Sequence, residues 1–278
     1  MKRSVSFLIS FSLVVLVFSC SKEGNDQNIG NEDIVCSADD QYIKSISMYG
    51  EIVYKYFYNE TGKIVEENCK SYCKRYLYDE NERLVKIESA YDMSVFSSGA
   101  IAQRTEFMTF ENSPVTGYSL YKYDKESRLS KIENYFNETG KDFEYRSMQT
   151  FEYEGSYIVK VNLHEPEGQI AQFRVYTYDD RGNVANEKYY SNLFGSKEEL
   201  LTEFSYKYDN YENPFRIFSI LGIPGRNTNV NNFIEISVNN TNSTYYTNKC
   251  TYQYNEYCYP VKFIYSESYG ESVEEYAY

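Results

Sequence analysis

The sequence predicts an all-β chain: a long antiparallel meander of hairpins forming a strongly twisted, curled sheet, a half-shell or a partly closed barrel. Three observations lead there. Aromatic residues make up 18% of the 278 residues, with 33 Tyr, 17 Phe and no Trp, a bias toward side chains that suit half-buried pleated surfaces. Pairs of aromatics recur at two-residue spacing, the period that puts both rings on one face of a strand. Each pair is followed by Asn or Asp and a glycine-type turn.

The first twenty residues read as a processing signal. Lys2 and Arg3 precede an apolar run from Val5 to Phe18 that ends at Val17-Phe18-Ser19-Cys20. That run is shorter than the roughly 20 apolar residues of a spanning helix, and its end has the pattern of a lipobox. Residues 1–19 are therefore expected to be a lipoprotein signal peptide and Cys20 the lipidation site. Two or three acyl chains, at about 0.8 kcal/mol per buried CH2, hold a protein stably at a membrane. The alternative is an ordinary secretory signal that happens to contain a cysteine.

Residues 20–39 form the lipidated cysteine and a polar tether rich in Gly, Asn and acids. Nineteen flexible residues reach roughly 25 Å. The β domain is expected over residues 40–278. Within it one phrase returns: YFYNETGKIV from Tyr56, YLYDENERLV from Tyr76, YKYDKESRLS from Tyr121, YTYDDRGNVA from Tyr176, YKYDNYENPF from Tyr206 and YQYNEYCYPV from Tyr252. Weaker copies start at Asn134, Phe151 and Leu163. The Asn or Asp bonds its own backbone two residues on, and Gly62, Gly140 and Gly182 supply positive φ for a type I turn with a bulge. Asp79, Asp124, Asp179 and Asp209 are explained as turn openers. Where Glu82, Ser127 or Cys258 stands at the glycine position, a costlier or differently shaped turn and a less regular hairpin are expected. With CKSYC at Cys69–Cys73 as a further turn, the count comes to 12 to 14 strands, and accumulated twist curls such a sheet. Tyrosines on its convex face would be unremarkable.

Two segments depart from the pattern. Phe194 to Leu201 carries Ser196 three before Glu199, a capping-box spacing that predicts one or two helical turns. The apolar NPFRIFSILGIPG from Asn213 reads as a loop that plugs the core or covers a sheet edge.

These residues carry a resemblance. The phrase YxYDxxGxL resembles the YD repeat of RHS-type proteins. Together with the lipobox, Asn213-Pro214-Phe215, Asn231-Asn232 and Tyr259-Pro260-Val261-Lys262, it resembles an outer-membrane lipoprotein family of Bacteroidetes whose domain has no assigned function. The likeness covers Gln41 to Tyr278. It implies an address at the outer membrane through the lipid, facing the periplasm or, as Lys22 and Glu23 after Ser21 suggest, the cell surface. It implies no catalytic residues, and the repeats are too few for the cavity that full RHS proteins enclose.

Composition narrows the chemistry. With 28 Lys and Arg against 41 Asp and Glu the net charge is -13, and without residues 1–19 it is 26 against 41, or -15. Such a surface repels phosphate backbones, so nucleic acid is not a partner. His164 is the single histidine; it lies in what reads as a turn, and zinc sites needing two histidines are excluded. No metal and no cofactor are expected. Cys69 and Cys73, flanking a three-residue turn, are the candidate disulfide pair, with Cys36, Cys250 and Cys258 unassigned. Two function classes remain. One is a non-enzymatic binding or structural module, held to the membrane by its lipid and capturing a glycan, a peptide or an envelope protein. The other is a glycoside hydrolase-type enzyme with two converging carboxylates, one of raised pKa.

Overall fold

A computed structural model describes residues 42–92, 106–137, 142–192, 198–241, 245–267 and 270–278. Its strands are β1 (Ser45–Met48), β2 (Glu51–Tyr58), β3 (Ile64–Asn68), β4 (Tyr72–Tyr78), β5 (Leu84–Tyr91), β6 (Gly117–Tyr123), β7 (Leu129–Phe136) and β8 (Glu144–Glu154), then β9 (Tyr157–His164), β10 (Ile170–Tyr178), β11 (Val184–Ser191), β12 (Glu199–Glu212), β13 (Asn231–Asn240), β14 (Tyr245–Tyr254), β15 (Pro260–Glu267) and β16 (Gly270–Ala277). Each pairs antiparallel with its neighbours in sequence, and β1 pairs with β16 from Ser45↔Ala277 to Met48↔Glu274, so the sheet closes as a 16-stranded barrel. Closure goes beyond the partial curl and the 12 to 14 strands expected. The extra strands come from weak copies such as Phe151 and from the short β1.

The repeat is one structural unit, and each of its residue types has a task. In YLYDENERL, Asp79 Oδ1 accepts from the backbone N–H of Asn81 (3.0 Å) and Arg83 (2.8 Å), and Glu82 N–H donates to Asp79 O at 2.9 Å. Asn59, Asp124, Asp179 and Asn255 make the same pair of bonds. The position three residues past the Asn or Asp has positive φ throughout: 76° at Gly62, 91° at Gly182, but also 58° at Glu82, 60° at Ser127 and 66° at Cys258. The three non-glycine turns are not less regular. Their closing bonds, 2.9 to 3.0 Å, match those of Gly62 and Gly182, because the Asx bonds and flanking strands impose the shape and the side chain bears the strain. Gly140 lies outside the described residues. A bulge follows each turn, as between Leu77 and Tyr78 opposite Leu84.

Both tyrosines of a pair point into the barrel. The first, as at Tyr76, Tyr121 and Tyr176, belongs to one connected core with Ile46, Ile64, Leu84, Ile132, Phe151, Val161, Phe263 and Tyr276, drawn from strands all round the wall. The second caps a carbonyl. Tyr58, Tyr78, Tyr123, Tyr153, Tyr178, Tyr208 and Tyr278 donate their hydroxyls to the backbone oxygens of Ile43, Ile64, Leu84, Leu129, Ile158, Val184 and Pro260 at 2.6 to 2.9 Å. Neighbouring strands are staggered so that pairing stops short of these oxygens: β3 first meets β4 at Glu66↔Arg75, two residues beyond Ile64. A ring of tyrosines thus runs round one end of the barrel and satisfies carbonyls that tilt leaves unpaired. The repeat's basic residue lies over the next ring tyrosine, Arg83 over Tyr123 at 5.1 Å and Arg128 over Tyr153 at 4.8 Å.

The loop from Asn213 closes the same end, as its apolar sequence suggests. Asn213 caps a 3-10 helix, Pro214–Leu221, by accepting from Phe215 N–H at 3.0 Å, and Phe215 and Phe218 are buried in the core. Glu199 to Leu201, expected to be helical, are instead the start of β12, where Glu199 pairs with Ser191 and Leu200 with Tyr190; residues 193–197 lie outside the described residues. A ready strand partner outweighs a local capping signal.

Candidate functional site: a seam in the wall

The inward face carries charge as well as rings. Glu67 accepts from the hydroxyls of Tyr72 and Tyr76 (2.8 Å for Tyr76) and pairs with Lys74 at 3.5 Å. Glu187 holds Arg174 and the Tyr206 hydroxyl. Glu274 pairs with Arg226 at 2.7 Å, both bond the Tyr276 hydroxyl, and the guanidinium lies 3.8 Å from the Phe215 ring centroid. Arg226 holds the Glu274 carboxyl below its ordinary pKa against the opposing effect of burial. Each buried charge has a partner, as low-dielectric surroundings require.

The outward face is polar along the strands. Lys122–Glu133 and Lys207–Glu235 at 2.7 Å, Lys86–Glu88 at 2.8 Å and Lys188–Glu203 at 3.3 Å are cross-strand or same-strand ion pairs on it. A wall set in lipid needs an apolar band about 25 Å tall. This wall carries ion pairs along its strands instead, and its interior is a packed core.

The wall opens between β13 and β14. β13 pairs with β14 only from Glu235↔Lys249 to Asn239↔Tyr245, so Asn231–Ile234 and Cys250–Tyr254 run without pairing to each other. The cause is a set of asparagines that hold the start of β13 toward β11 and β12. Asn183, fully buried, accepts from Asn231 N–H at 2.8 Å and donates to Asn231 Oδ1 at 3.1 Å. Asn229 Oδ1 accepts from Val184 N–H at 2.9 Å, and Asp209 Oδ1 accepts from Asn232 N–H at 3.2 Å. Here the eighth ring position departs from the rest: Tyr254 donates to the Asp209 carboxylate instead of a strand carbonyl. Its ring lies 4.2 Å from that of Tyr211.

A cavity of about 410 Å³ sits in the seam, lined by Asp209, Ile234, Glu235, Lys249, Cys250, Thr251, Tyr252 and Tyr254. Burial raises the Asp209 pKa, and hydrogen bonds from Tyr254, Tyr211 and Asn232 oppose the rise without cancelling it. Burial also pushes the Cys250 thiol up to about 12, leaving it protonated and inert at neutral pH.

The residues singled out from sequence fall as follows. Asp79, Asp124 and Asp179 open turns, and their pKa values are lowered, by the Arg83 and Arg128 backbone N–H groups in the first two and by Asn183 in the third against burial. Asp209 makes the same bond to Tyr211 N–H, yet no hairpin follows, and it supports the seam instead. His164 ends β9, its Nε2 2.9 Å from Thr150 Oγ1 and its Nδ1 3.1 Å from Gly168 O. Cys69 and Cys73 are free thiols. The register pairs Cys73 with Asn68 rather than Cys69; Cys73 packs outside the barrel against Ala90 and Met108, while Cys69 Sγ accepts from Ser71 and Tyr72 N–H. Cys258 is disulfide-bonded, to a partner outside the described residues. Cys20 is also outside them. No group of metal-ligating side chains occurs among the described residues.

No family model matches the chain, and no curated protein matches it in sequence. Solved structures do. A porin-like protein from Bacteroides vulgatus is similar over 85% of this chain and 98% of its own, with a TM-score of 0.52 and 12% identity. One from Bacteroides uniformis is similar over 84% and 97%, with a TM-score of 0.40 and 10% identity. The Tc holotoxin pore of Photorhabdus luminescens matches over 80% of this chain and 13% of that one, at a TM-score of 0.22 and 11% identity. At such identities the first likeness speaks for the fold alone, and the lower TM-scores carry no argument.

Proposed function

We propose that this chain is a lipid-anchored protein of the bacterial outer membrane whose barrel is a non-enzymatic binding or structural module. The observation that carries this reading is the inverted wall: charge outside, aromatic core inside. A body with that surface does not enter lipid by itself, so it stays at a membrane only through an anchor, and Cys20 after its apolar run supplies one. The likeness to YD-repeat lipoproteins of Bacteroidetes supports the address. The paired tyrosines are packed in the core, which leaves the cavity in the seam as the place that could take a glycan or peptide group.

A second reading, a glycoside hydrolase-type carboxylate pair, has one observation in its favour: Asp209, of raised pKa, shares the cavity with Glu235. Against it, both Asp209 oxygens already accept hydrogen bonds, and Glu235 is held by Lys207.

Palmitate labelling of cells expressing the full chain tests the anchor. Cys20→Ala is expected to lose the label and release the protein from membranes; unchanged labelling overturns the proposal. Glycan-array and pull-down screening of residues 40–278 then separates binding from a structural role, and protease shaving of whole cells reads the orientation.

A further inference from the structure

The gap between β13 and β14 is built into the fold. Asn183, Asn229, Asn231 and Asn232 are all buried, and their bonds draw the start of β13 toward β11 and β12. Over the same stretch the register of β12 on β13 breaks twice, between Lys207 and Tyr208 and between Tyr208 and Glu212. Two strand edges, Asn231–Ile234 and Cys250–Tyr254, are left without each other as partners. The gap is bounded at both ends. At one, the Glu235↔Lys249 pair begins the ladder; at the other, Tyr254 bonds Asp209, and Asn232 Nδ2 lies 3.4 Å from the Tyr254 hydroxyl. About four residues of bare edge lie between, roughly 13 Å at the rise of a strand. The floor is aromatic, with the Phe263 ring centroid 4.9 Å from that of Tyr252 and 5.7 Å from that of Phe233. The rim is polar, since Lys249 and Thr251 are exposed on the outward face. Lys207 holds Glu235 at 2.7 Å, and Lys249 has no ion pair among the described residues.

Resting on the reading of the seam as the barrel's binding place, we propose that its ligand is an extended stretch of a second polypeptide. About four residues enter as an added strand, with small apolar side chains inward and an acidic one beside Lys249. Bare edges present N–H and C=O groups in alternation, and an extended backbone carries the same alternation on both of its sides. A peptide therefore pairs with both edges at once, whereas the hydroxyls of a sugar ring do not keep that repeat. Because β13 and β14 are antiparallel, the added strand is parallel to one and antiparallel to the other. Its side chains beside Cys250 and Tyr252 face the aromatic floor, and those beside Lys249 and Thr251 face outward. An acid at the Lys249 position meets an unpaired ammonium. No acid belongs at the far end, where the Asp209 carboxylate already accepts from Tyr211, Asn232 and Tyr254.

The test follows backbone hydrogen exchange of the full chain with peptide at millimolar concentration. The probes are the acetylated, amidated tetrapeptides EVTV and VTVE, which cover both strand directions. One of them is expected to slow exchange over residues 231–234 and 250–254 about threefold or more, with β4 to β7 unchanged. The lysine probes KVTV and VTVK are expected to have no effect on the unaltered chain and to take over in Lys249→Glu. Lys249 is exposed, so that variant keeps the fold, which circular dichroism checks. Equal slowing by acidic and lysine probes overturns the role of Lys249. Equal slowing by probes N-methylated at both valines overturns strand pairing. Slowing by maltotetraose and by neither acidic peptide overturns the peptide ligand and leaves the seam standing as a binding place; slowing by none of the probes overturns both.

Discussion

Removing one hydroxyl from the tyrosine ring measures what the repeat is for. In Tyr78→Phe the ring stays in place and the bond to Ile64 O, 2.6 Å long, is lost. Strand pairing does not reach that oxygen, since β3 meets β4 only from Glu66. The bond itself is worth about 1 kcal/mol net, and an acceptor left dry costs about 1 to 3 kcal/mol. Tyr78 is half-buried, so water recovers part of the loss and about 1 to 2 kcal/mol is expected. Tyr208→Phe, which strips Val184 O on a distant part of the wall, should cost the same, and the double variant should show the sum, because sites this far apart couple weakly. Tyr254→Phe should cost more, about 1.5 to 3 kcal/mol, because its acceptor is a buried carboxylate. Tyr49→Phe, 76% exposed, is the control. Urea unfolding at pH 7 reads all of these as shifts in midpoint at constant slope. Ring variants that unfold with the control, or a Tyr254→Phe milder than Tyr78→Phe, would refute the capping argument.

Three further outcomes follow from the same structure. Ser127→Gly relieves a φ of 60° in a turn whose shape the Asx bonds already impose, and thermal unfolding should show a gain of about 0.5 to 1 kcal/mol after the entropy cost of glycine. Arg226→Met leaves Glu274 buried without its counter-charge, with only the Tyr276 hydroxyl as partner, and should cost about 3 to 5 kcal/mol by urea unfolding, with much of that regained when Glu274→Gln is added; additive losses would contradict the pairing. Burial raises the pKa values of Tyr56, Tyr76, Tyr121, Tyr206 and Tyr276 above the ordinary value. Their contribution to stability is complete below pH about 10 and is lost as pH rises beyond it, at about 1.4 kcal/mol per tyrosine per pH unit. Five such groups forfeit roughly 7 kcal/mol within one unit, so phenolate absorbance and loss of far-ultraviolet circular dichroism should coincide in one steep alkaline transition. Phenolate absorbance rising in step with an intact β spectrum would count against it.

The local grammar of the fold was readable in the chain and its global closure was not. Asn59, Asp79, Asp124 and Asp179 announce their turns because the Asx bond is made within five residues. Which way the paired tyrosines face was open to the same reading, since alternation fixes only that both share a side. In four of the six copies the signal lay in the residue between them: Lys122, Thr177, Lys207 and Gln253 are polar, and a polar middle flanked by aromatics turns the rings inward, whereas Phe57 and Leu77 give no such signal. The seam depends on contacts 45 and 48 residues apart in sequence, Asn229 with Val184 and Asn183 with Asn231, and no local pattern encodes them. Cys69 and Cys73 show the limit of spacing, because a one-residue shift of register moved one thiol outside the barrel and kept the other in the turn.

The pairing of β1 with β16 has a consequence for how the molecule is made. The two strands that close the sheet are the barrel's first and last in sequence, so a chain still being made carries two bare edges until Gly270–Ala277 arrives. Glu274, Tyr276 and Tyr278 come with that strand, bringing the Arg226 counterion, a core ring and a hydroxyl of the ring together. A nascent chain stopped ten residues short would be an open, sticky ribbon with an unneutralised guanidinium at its centre, which makes the C-terminal strand the latch on which escape from aggregation depends.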